Sequence, residues 1–194
     1  MRIIFFILPV WISRDLYVNL HVDMKKSNGI IVRHYQSPCG VLVLGSFDGK
    51  LCLCDWQIEN HRERVDRRLR RILQADFEEG TSAVTEEAAR QLDEYFARQR
   101  REFDVPLLLV GTDFQKTVWR GLLKIPFGVT FSYGDMARRI GKPGAVRAVA
   151  NANGANSISV FVPCHRVIGS DNSLTGYGGG LDAKRMLLEL ECVF

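Results

Sequence analysis

The sequence predicts an α+β protein: a β-meander with helices first, then a helix-turn-helix unit. Three observations carry that reading. Three short β-rich runs near the start are separated by turn residues. Two short helical patterns in the second half are joined by Lys142-Pro143-Gly144. Between the halves, the apolar stretch 103–110 is interrupted by Pro106 and marks a boundary without a long linker. The expected organisation is an extension over 1–28, an N-terminal domain over 29–108 and a C-terminal domain over 109–194. A chain of 194 residues can supply both domains with cores. Its 46% hydrophobic and 25% charged residues are ordinary for a soluble globular protein. A net charge of +4 and a pI near 8.9 permit a polyanionic partner without demanding one.

The elements follow in order. Residues 3–12 are apolar after Arg2, as in a short signal peptide. Pro9 and Trp11 interrupt the run, no clear small-residue cleavage site follows, and it is too short to span a membrane. Met24, followed by Lys25 and Lys26, is the expected native start. Runs 30–35, 41–45 and 51–56 have strand composition, with Ser37-Pro38-Cys39-Gly40 and Asp48-Gly49 as the turns of an antiparallel meander. Residues 61–73 read as a helix with Val65, Leu69, Ile72 and Leu73 on one stripe. Its other face carries Arg62, Arg64, Arg67, Arg68, Arg70 and Arg71. With Glu63 and Asp66 interspersed, that face reads as solvated rather than as a nucleic-acid site. Thr85 is the expected cap of the next helix, which runs to about Arg101 with Leu92, Tyr95 and Phe96 inward.

In the second half, Thr112 or Asp113 starts a helix with Phe114, Val118, Leu122 and Leu123 inside, ending before Pro126. Ser132 caps a short helix with Asp135 as the capping-box acid, and that helix ends at Gly141. A second short helix over 145–153 stops at Gly154 and completes the helix-turn-helix. A strand over 158–162 leads into Pro163-Cys164-His165-Arg166-Val167. The glycine-rich loop 175–180 then precedes a final helix over 184–191.

The five cysteines are Cys39, Cys52, Cys54, Cys164 and Cys192. They form no disulfide framework and no paired zinc spacing, which fits a reduced, cytoplasmic compartment. Cys52-x-Cys54 on a strand places both thiols on one face, as small core residues. Cys164 is the best nucleophile candidate. A thiol attacks as thiolate, so it needs a base, and His165 is adjacent. Neighbouring side chains rarely bond directly, so a bridging water is expected between them, with Glu191 orienting the imidazole. An isolated Cys-His dipeptide, however, is more often structural. The second short helix is thin: Ala145, Ala148, Val149 and Ala152 are small, and Arg147 projects from it. That shape suits a minor groove, where a long side chain fills the gap left by a flipped base. From the residues alone, Arg147 is equally well a surface arginine with a neighbouring phosphate or carboxylate.

Several motifs together resemble the methylated-DNA–protein-cysteine methyltransferases, the O6-alkylguanine-DNA alkyltransferase family. They are Pro163-Cys164-His165-Arg166-Val167-Ile168-Gly169-Ser170, Ile125-Pro126-Phe127-Gly128, Ser132-Tyr133-Gly134, Ala145-Val146-Arg147-Ala148-Val149, Asn153-Gly154-Ala155-Asn156 and Leu174-Thr175-Gly176-Tyr177. The resemblance covers Thr112 to Glu191 closely, and the N-terminal part more weakly through Ser37-Pro38-Cys39-Gly40 and the meander. It implies an N-terminal ribonuclease-H-like domain (antiparallel meander plus helices) and a C-terminal winged-helix-like helix-turn-helix domain. It also implies roles. Cys164 accepts the alkyl group, His165 takes its proton through water, and Glu191 holds His165. Asn156 ties the recognition helix to the active-site turn, and Tyr133 donates to the leaving guanine. Tyr177, Gly178 and Val167 belong to the substrate pocket. Arg147, Lys142, Gly134, Ala145 and Ser170 belong to the DNA surface. The expected partner is duplex DNA with alkylated bases, bound through the minor groove by a monomer. No cofactor, metal or membrane is expected.

Two departures stand out. Asn172 replaces a common Gly after Asp171, and Asn tolerates the left-handed turn nearly as well. Ser159 replaces a proline found in some members before the motif, which bears on pocket width. Three other functions compete. A lesion-binding protein would lack Cys164. A cysteine hydrolase would leave Arg147 and the helix-turn-helix unexplained. A plain DNA-binding regulator would leave Cys164, His165 and Glu191 unexplained.

Overall fold

β1 (Ile30–Ser37), β2 (Gly40–Phe47) and β3 (Lys50–Trp56) form the expected antiparallel meander, with β2 and β3 carrying continuous runs of side chains buried on both faces. The computed structural model describes residues 29–193, so the expectations for the extension lie outside the described residues. Asp48 and Gly49 sit at φ 47° and 70°, the left-handed pair a two-residue hairpin needs. A fourth strand, β4 (Phe77–Glu79), pairs parallel with β1 and gives the order β3-β2-β1-β4. Three residues with two glutamates offer no alternation to read.

Two helices cover opposite faces of this sheet. α1 (Glu59–Leu73) lays Val65 and Leu69 on Ile30, Val32, Val43 and Leu53. α2 (Ala83–Phe96) lays Ala88, Leu92 and Tyr95 on Leu42, Leu44 and Leu51. Ile72, expected inside, is exposed at the end of α1. Ser82, not Thr85, caps α2; Thr85 is the third helical residue and returns the bond to the Ser82 N–H. The helix ends at Phe96 rather than near Arg101. Arg98 turns left-handed (φ 61°) and the Gln99 N–H closes back on the Glu94 carbonyl. Cys52 and Cys54 do not share a face. The β2–β3 register skips Cys52 between Leu51 and Leu53, so Cys52 packs with α1's cluster and Cys54 with α2's.

The C-terminal part is helical. α3 (Asp113–Leu122) is capped by Thr112 with Gln115, and α4 (Tyr133–Arg139) by Ser132 with Asp135. α5 (Val146–Gly154) packs against both. Trp119 fills the core and donates its indole N–H to the Ala152 carbonyl at 2.8 Å, whereas Leu123 faces solvent. A parallel pair, β5 (Phe131–Ser132) and β6 (Val167–Ile168), precedes and follows the α4–α5 unit. α6 (Gly180–Leu190) closes the chain.

The two parts are joined along β3. The Leu51 N–H donates to Pro106, and the Leu108 N–H to Leu51. Further along, the Cys54 N–H donates to Ser157 and the Ser159 N–H to Cys54. The open edge of the sheet is thus closed by the connection and by the segment leading to Cys164. This replaces the strand expected over 158–162. Only Ile158 pairs, after which the chain turns, with Val160 at φ 71° and the Val162 N–H returning to Ile158. An apolar run reads like a strand whether it is extended or coiled inside the core.

Candidate active site around Cys164

Cys164 opens a single 3₁₀ turn (Cys164–Arg166) and is 4% exposed. Asn156 fixes it. The Asn156 amide donates to Cys164 Sγ at 3.1 Å and to the Val162 carbonyl at 2.9 Å, while its oxygen accepts from the Ile158 N–H at 3.0 Å. Asn153, at the end of α5, donates to the Cys164 carbonyl at 3.3 Å. The helix-turn-helix and the thiol are therefore one hydrogen-bonded unit. Burial pushes the thiol up to about 11, against the hydrogen bond from Asn156. At neutral pH the thiol form dominates by roughly 10⁴, so attack needs a base.

His165 can supply one. It is fully buried, and its Nε2 stands 2.9 Å from Glu191 Oε1. Burial holds its pKa below the ordinary value, so the ring is neutral at pH 7. With Nε2–H donated to the carboxylate, Nδ1 carries the lone pair, and Nδ1 has no partner among the described residues. Glu191 lies just past α6 and collects donors. Tyr95 Oη stands at 2.7 Å, Arg166 Nε and Nη2 at 2.8 and 2.9 Å, and the Gly128 N–H at 3.2 Å. Burial works against its charge, but His165 and Arg166 hold the carboxyl well below the usual range. Arg166 also donates to the Ile125 carbonyl at 2.7 Å.

Above Cys164 is a cavity of about 10 Å³, room for about one water. Tyr177, Gly178, Asn156 and Ser159 line it. It adjoins a mouth of about 360 Å³ lined by Tyr133, Thr175, Tyr177, Gly178 and the Ala150–Asn151 side of α5. Tyr133 is partly buried, and burial raises its hydroxyl above the ordinary value. Val167 lies fully buried in β6 and lines neither space. Arg147, Ala148 and Asn151 are exposed along α5; Arg147 has no ion pair among the described residues. Ala145 and Gly134 are half-buried, and Lys142 and Ser170 are exposed. Asn172 does sit in the left-handed region, at φ 64°.

Several contributors were not legible in the sequence. His61, from α1, lines both the cavity and the mouth, and its Nε2 stands 3.1 Å from Oδ2 of fully buried Asp55. Asp55 also accepts from Ser159 Oγ at 3.4 Å. A Cβ on Gly178 would come within 2.7 Å of the His61 ring, and one on Gly179 within 2.5 Å of Trp56. The N-terminal domain thus seats the glycine-rich loop, and only residues without a side chain allow that approach. Lys184 is buried and donates to the Val167 and Thr175 carbonyls at 2.6 and 2.8 Å, tying the loop to α6; burial lowers it to about 8. Nothing in local sequence separates such a lysine from a surface one.

Among the described residues, no group of three or more His, Cys, Asp or Glu is placed to hold a metal, and no helix is long and apolar enough to cross a membrane. Residues 30–109 match the ribonuclease-like domain of 6-O-methylguanine DNA methyltransferase, and residues 113–193 match its DNA binding domain. A methylated-DNA–protein-cysteine methyltransferase of Mycobacterium tuberculosis is 62% identical over 104 residues, 54% of this chain and 63% of the relative. The match thus spans less than two thirds of that relative. The Methanosarcina barkeri protein of the same name is 44% identical over 156 residues, 80% of this chain and 93% of its own. The solved M. tuberculosis OGT in complex with DNA superimposes with a TM-score of 0.72 at 45% identity, covering 84% of this chain and 92% of that one.

Proposed function

The chain belongs to the methylated-DNA–protein-cysteine methyltransferase family, and from that premise we propose that it repairs DNA by moving an alkyl group from O6 of guanine to Cys164, irreversibly and once per molecule. The observation that carries the reading is the floor of the base-sized mouth. There, a buried thiol is gripped by Asn156 and sits beside a neutral His165 whose Nε2–H is held by Glu191.

The steps follow from the groups present. α5 enters the minor groove with its thin exposed face, and Arg147 takes the place of the flipped nucleotide. Lys142, Gly134, Ala145 and Ser170 meet the DNA around it. The base enters the mouth beside Tyr177 and Gly178, with the Gly178 N–H directed to O6. The Cys164 proton passes through a water to His165 Nδ1, and the imidazolium is stabilised by Glu191. The thiolate attacks the alkyl carbon in line. The S–C bond forms as the C–O6 bond breaks, and the electron pair departs onto guanine. Tyr133 donates a proton to the guanine ring, so neutral guanine leaves. The product is a thioether, and no neighbouring group can cleave it. O4-alkylthymine presents a similar O-alkyl carbon and is a second substrate. The protein acts as a monomer, and its free cysteines suit the reducing cytoplasm.

The test follows the lesion in duplex DNA containing O6-methylguanine with increasing protein. Loss of lesion should plateau at one per protein, and Cys164→Ala should bind the duplex and repair nothing. Many lesions repaired per protein would defeat the single-turnover reading.

A further inference from the structure

α1 carries six arginines between positions 62 and 71, and the structure divides them. Arg62 pairs with Asp66 at 2.7 Å, Arg67 pairs with Glu63, and Arg70 stands 3.5 Å from Asp76 and over the Phe77 ring. Arg64, Arg68 and Arg71 have no carboxylate partner among the described residues, and Arg71 lies apart from the other two, in a surface hollow with Glu63, Asp66, Arg67 and Arg70. Arg64 is exposed. Arg68 is half-buried with its guanidinium 5.5 Å from the Trp119 ring, and its Nε and Nη2 are buried with no acceptor among the described residues. Burial lowers its pKa, opposed by the charge of Asp55, which His61 and Ser159 already engage.

Arg64 and Arg68 lie one turn apart and, with His61, form one wall of a cleft of about 370 Å³. The facing wall is the recognition helix itself, at Ala150, Asn151 and Gly154. No carboxylate among the described residues lines the cleft. It shares His61, Ala150, Asn151 and Gly154 with the mouth over Cys164, so the two openings are adjacent. A guanidinium withdrawn from water without an acceptor is costly until an anion arrives. Arginine's planar fork suits phosphate oxygens.

Resting on the DNA-repair reading, we propose that Arg64 and Arg68 form a second phosphate site, which holds the DNA backbone beside the flipped nucleotide. With α5 in the minor groove, a strand passing its C-terminal half runs over this cleft. The N-terminal domain then takes part in binding DNA as well as in seating the glycine-rich loop.

The test compares Arg64→Gln, Arg68→Gln and the paired-arginine control Arg67→Gln, each in the Cys164→Ala background. Binding of a lesion-containing duplex is measured against salt. Each cleft variant should flatten the log–log salt slope by about 0.9 and weaken binding several-fold at about 0.1 M salt, while Arg67→Gln changes neither. With Cys164 restored, the Arg67→Gln control should transfer methyl from the duplex within about twofold of the parent rate. Slopes and affinities unchanged in Arg64→Gln would overturn the site. Arg64 is exposed, so that variant decides even if Arg68→Gln unfolds. A parent that transfers no alkyl group would instead defeat the function itself.

Discussion

Replacing Glu191 by Gln tests the proton relay and its anchor together. Oε1 faces Tyr95 Oη, His165 Nε2 and Arg166 Nη2, and Oε2 faces Arg166 Nε and the Gly128 N–H. An amide nitrogen in the milder orientation, at Oε2, still meets two donors head-on. Breaking a buried ion pair from one side costs about 3–5 kcal/mol, and the unmet donors are part of that cost rather than additional to it. For a chain of this size the midpoint of thermal unfolding should fall by about 6–20 °C. Catalysis suffers separately. His165 loses the charge that stabilises its imidazolium, and lost general-base assistance slows transfer by about 10²–10⁴. The assay is single-turnover alkyl transfer at 25 °C on protein verified as folded by circular dichroism, repeated across pH. Because the thiol titrates near 11, hydroxide replaces the missing base as pH rises. The variant's rate should therefore climb about tenfold per unit up to that range and close on the parent. A Glu191→Gln protein within about 2 °C of the parent midpoint and within threefold of its rate would refute the reasoning.

Other perturbations read different parts of the site. Asn156→Ala strands the buried Ile158 N–H, while the Val162 carbonyl keeps the Cys164 N–H at 2.7 Å, so chemical denaturation should show a loss of about 1–3 kcal/mol. A thiol titration should place Cys164 higher still, since the bond that favours its charged form is gone. Cys164 is raised from an ordinary value near 9 to about 11, so its contribution is complete below pH 9 and is lost as pH rises to 11. Comparing parent with Cys164→Ala over that window should reveal roughly 3 kcal/mol of extra alkaline destabilisation in the parent, and parallel curves would contradict the burial account. Arg147→Ala should slow transfer from duplex DNA but not from single-stranded lesions, with stability within about 0.5 kcal/mol because the side chain is exposed. His61→Ala removes one wall of the cavity over Cys164, so the transfer ratio of a bulky O6-alkyl group to methyl should rise roughly tenfold.

How far the sequence reaches depends on the range of the interaction. Caps and turns are local, and Ser132 with Asp135, Thr112, Asp48-Gly49 and left-handed Asn172 were all legible. Ser82 was passed over as the cap of α2 although it too is local, and the other elements that failed depend on distant chain. Residues 158–162 are apolar because they are buried, and their conformation is set by Asn156 and the edge of β3. Cys52 left its expected face because of a register shift opposite Gly45 and Ser46. In the site, Cys164, His165, Asn156 and Glu191 meet as the motif pattern implied. Val167 faces the core instead of the pocket, and Asp55, His61 and Lys184 enter through tertiary contacts that no local spacing encodes. The arginines of α1 show the same limit, since composition could not say which of them lack partners.

The central claim is that Cys164 is consumed as a reactant. Its most direct test is the intact mass of the protein after incubation with duplex DNA containing O6-methylguanine, followed by peptide mapping. Consumption of Cys164 predicts one added CH₂ per molecule, carried by Cys164 as a thioether, in the same amount as lesion lost. Lesion loss with unmodified protein, or the added mass on another residue, would contradict it.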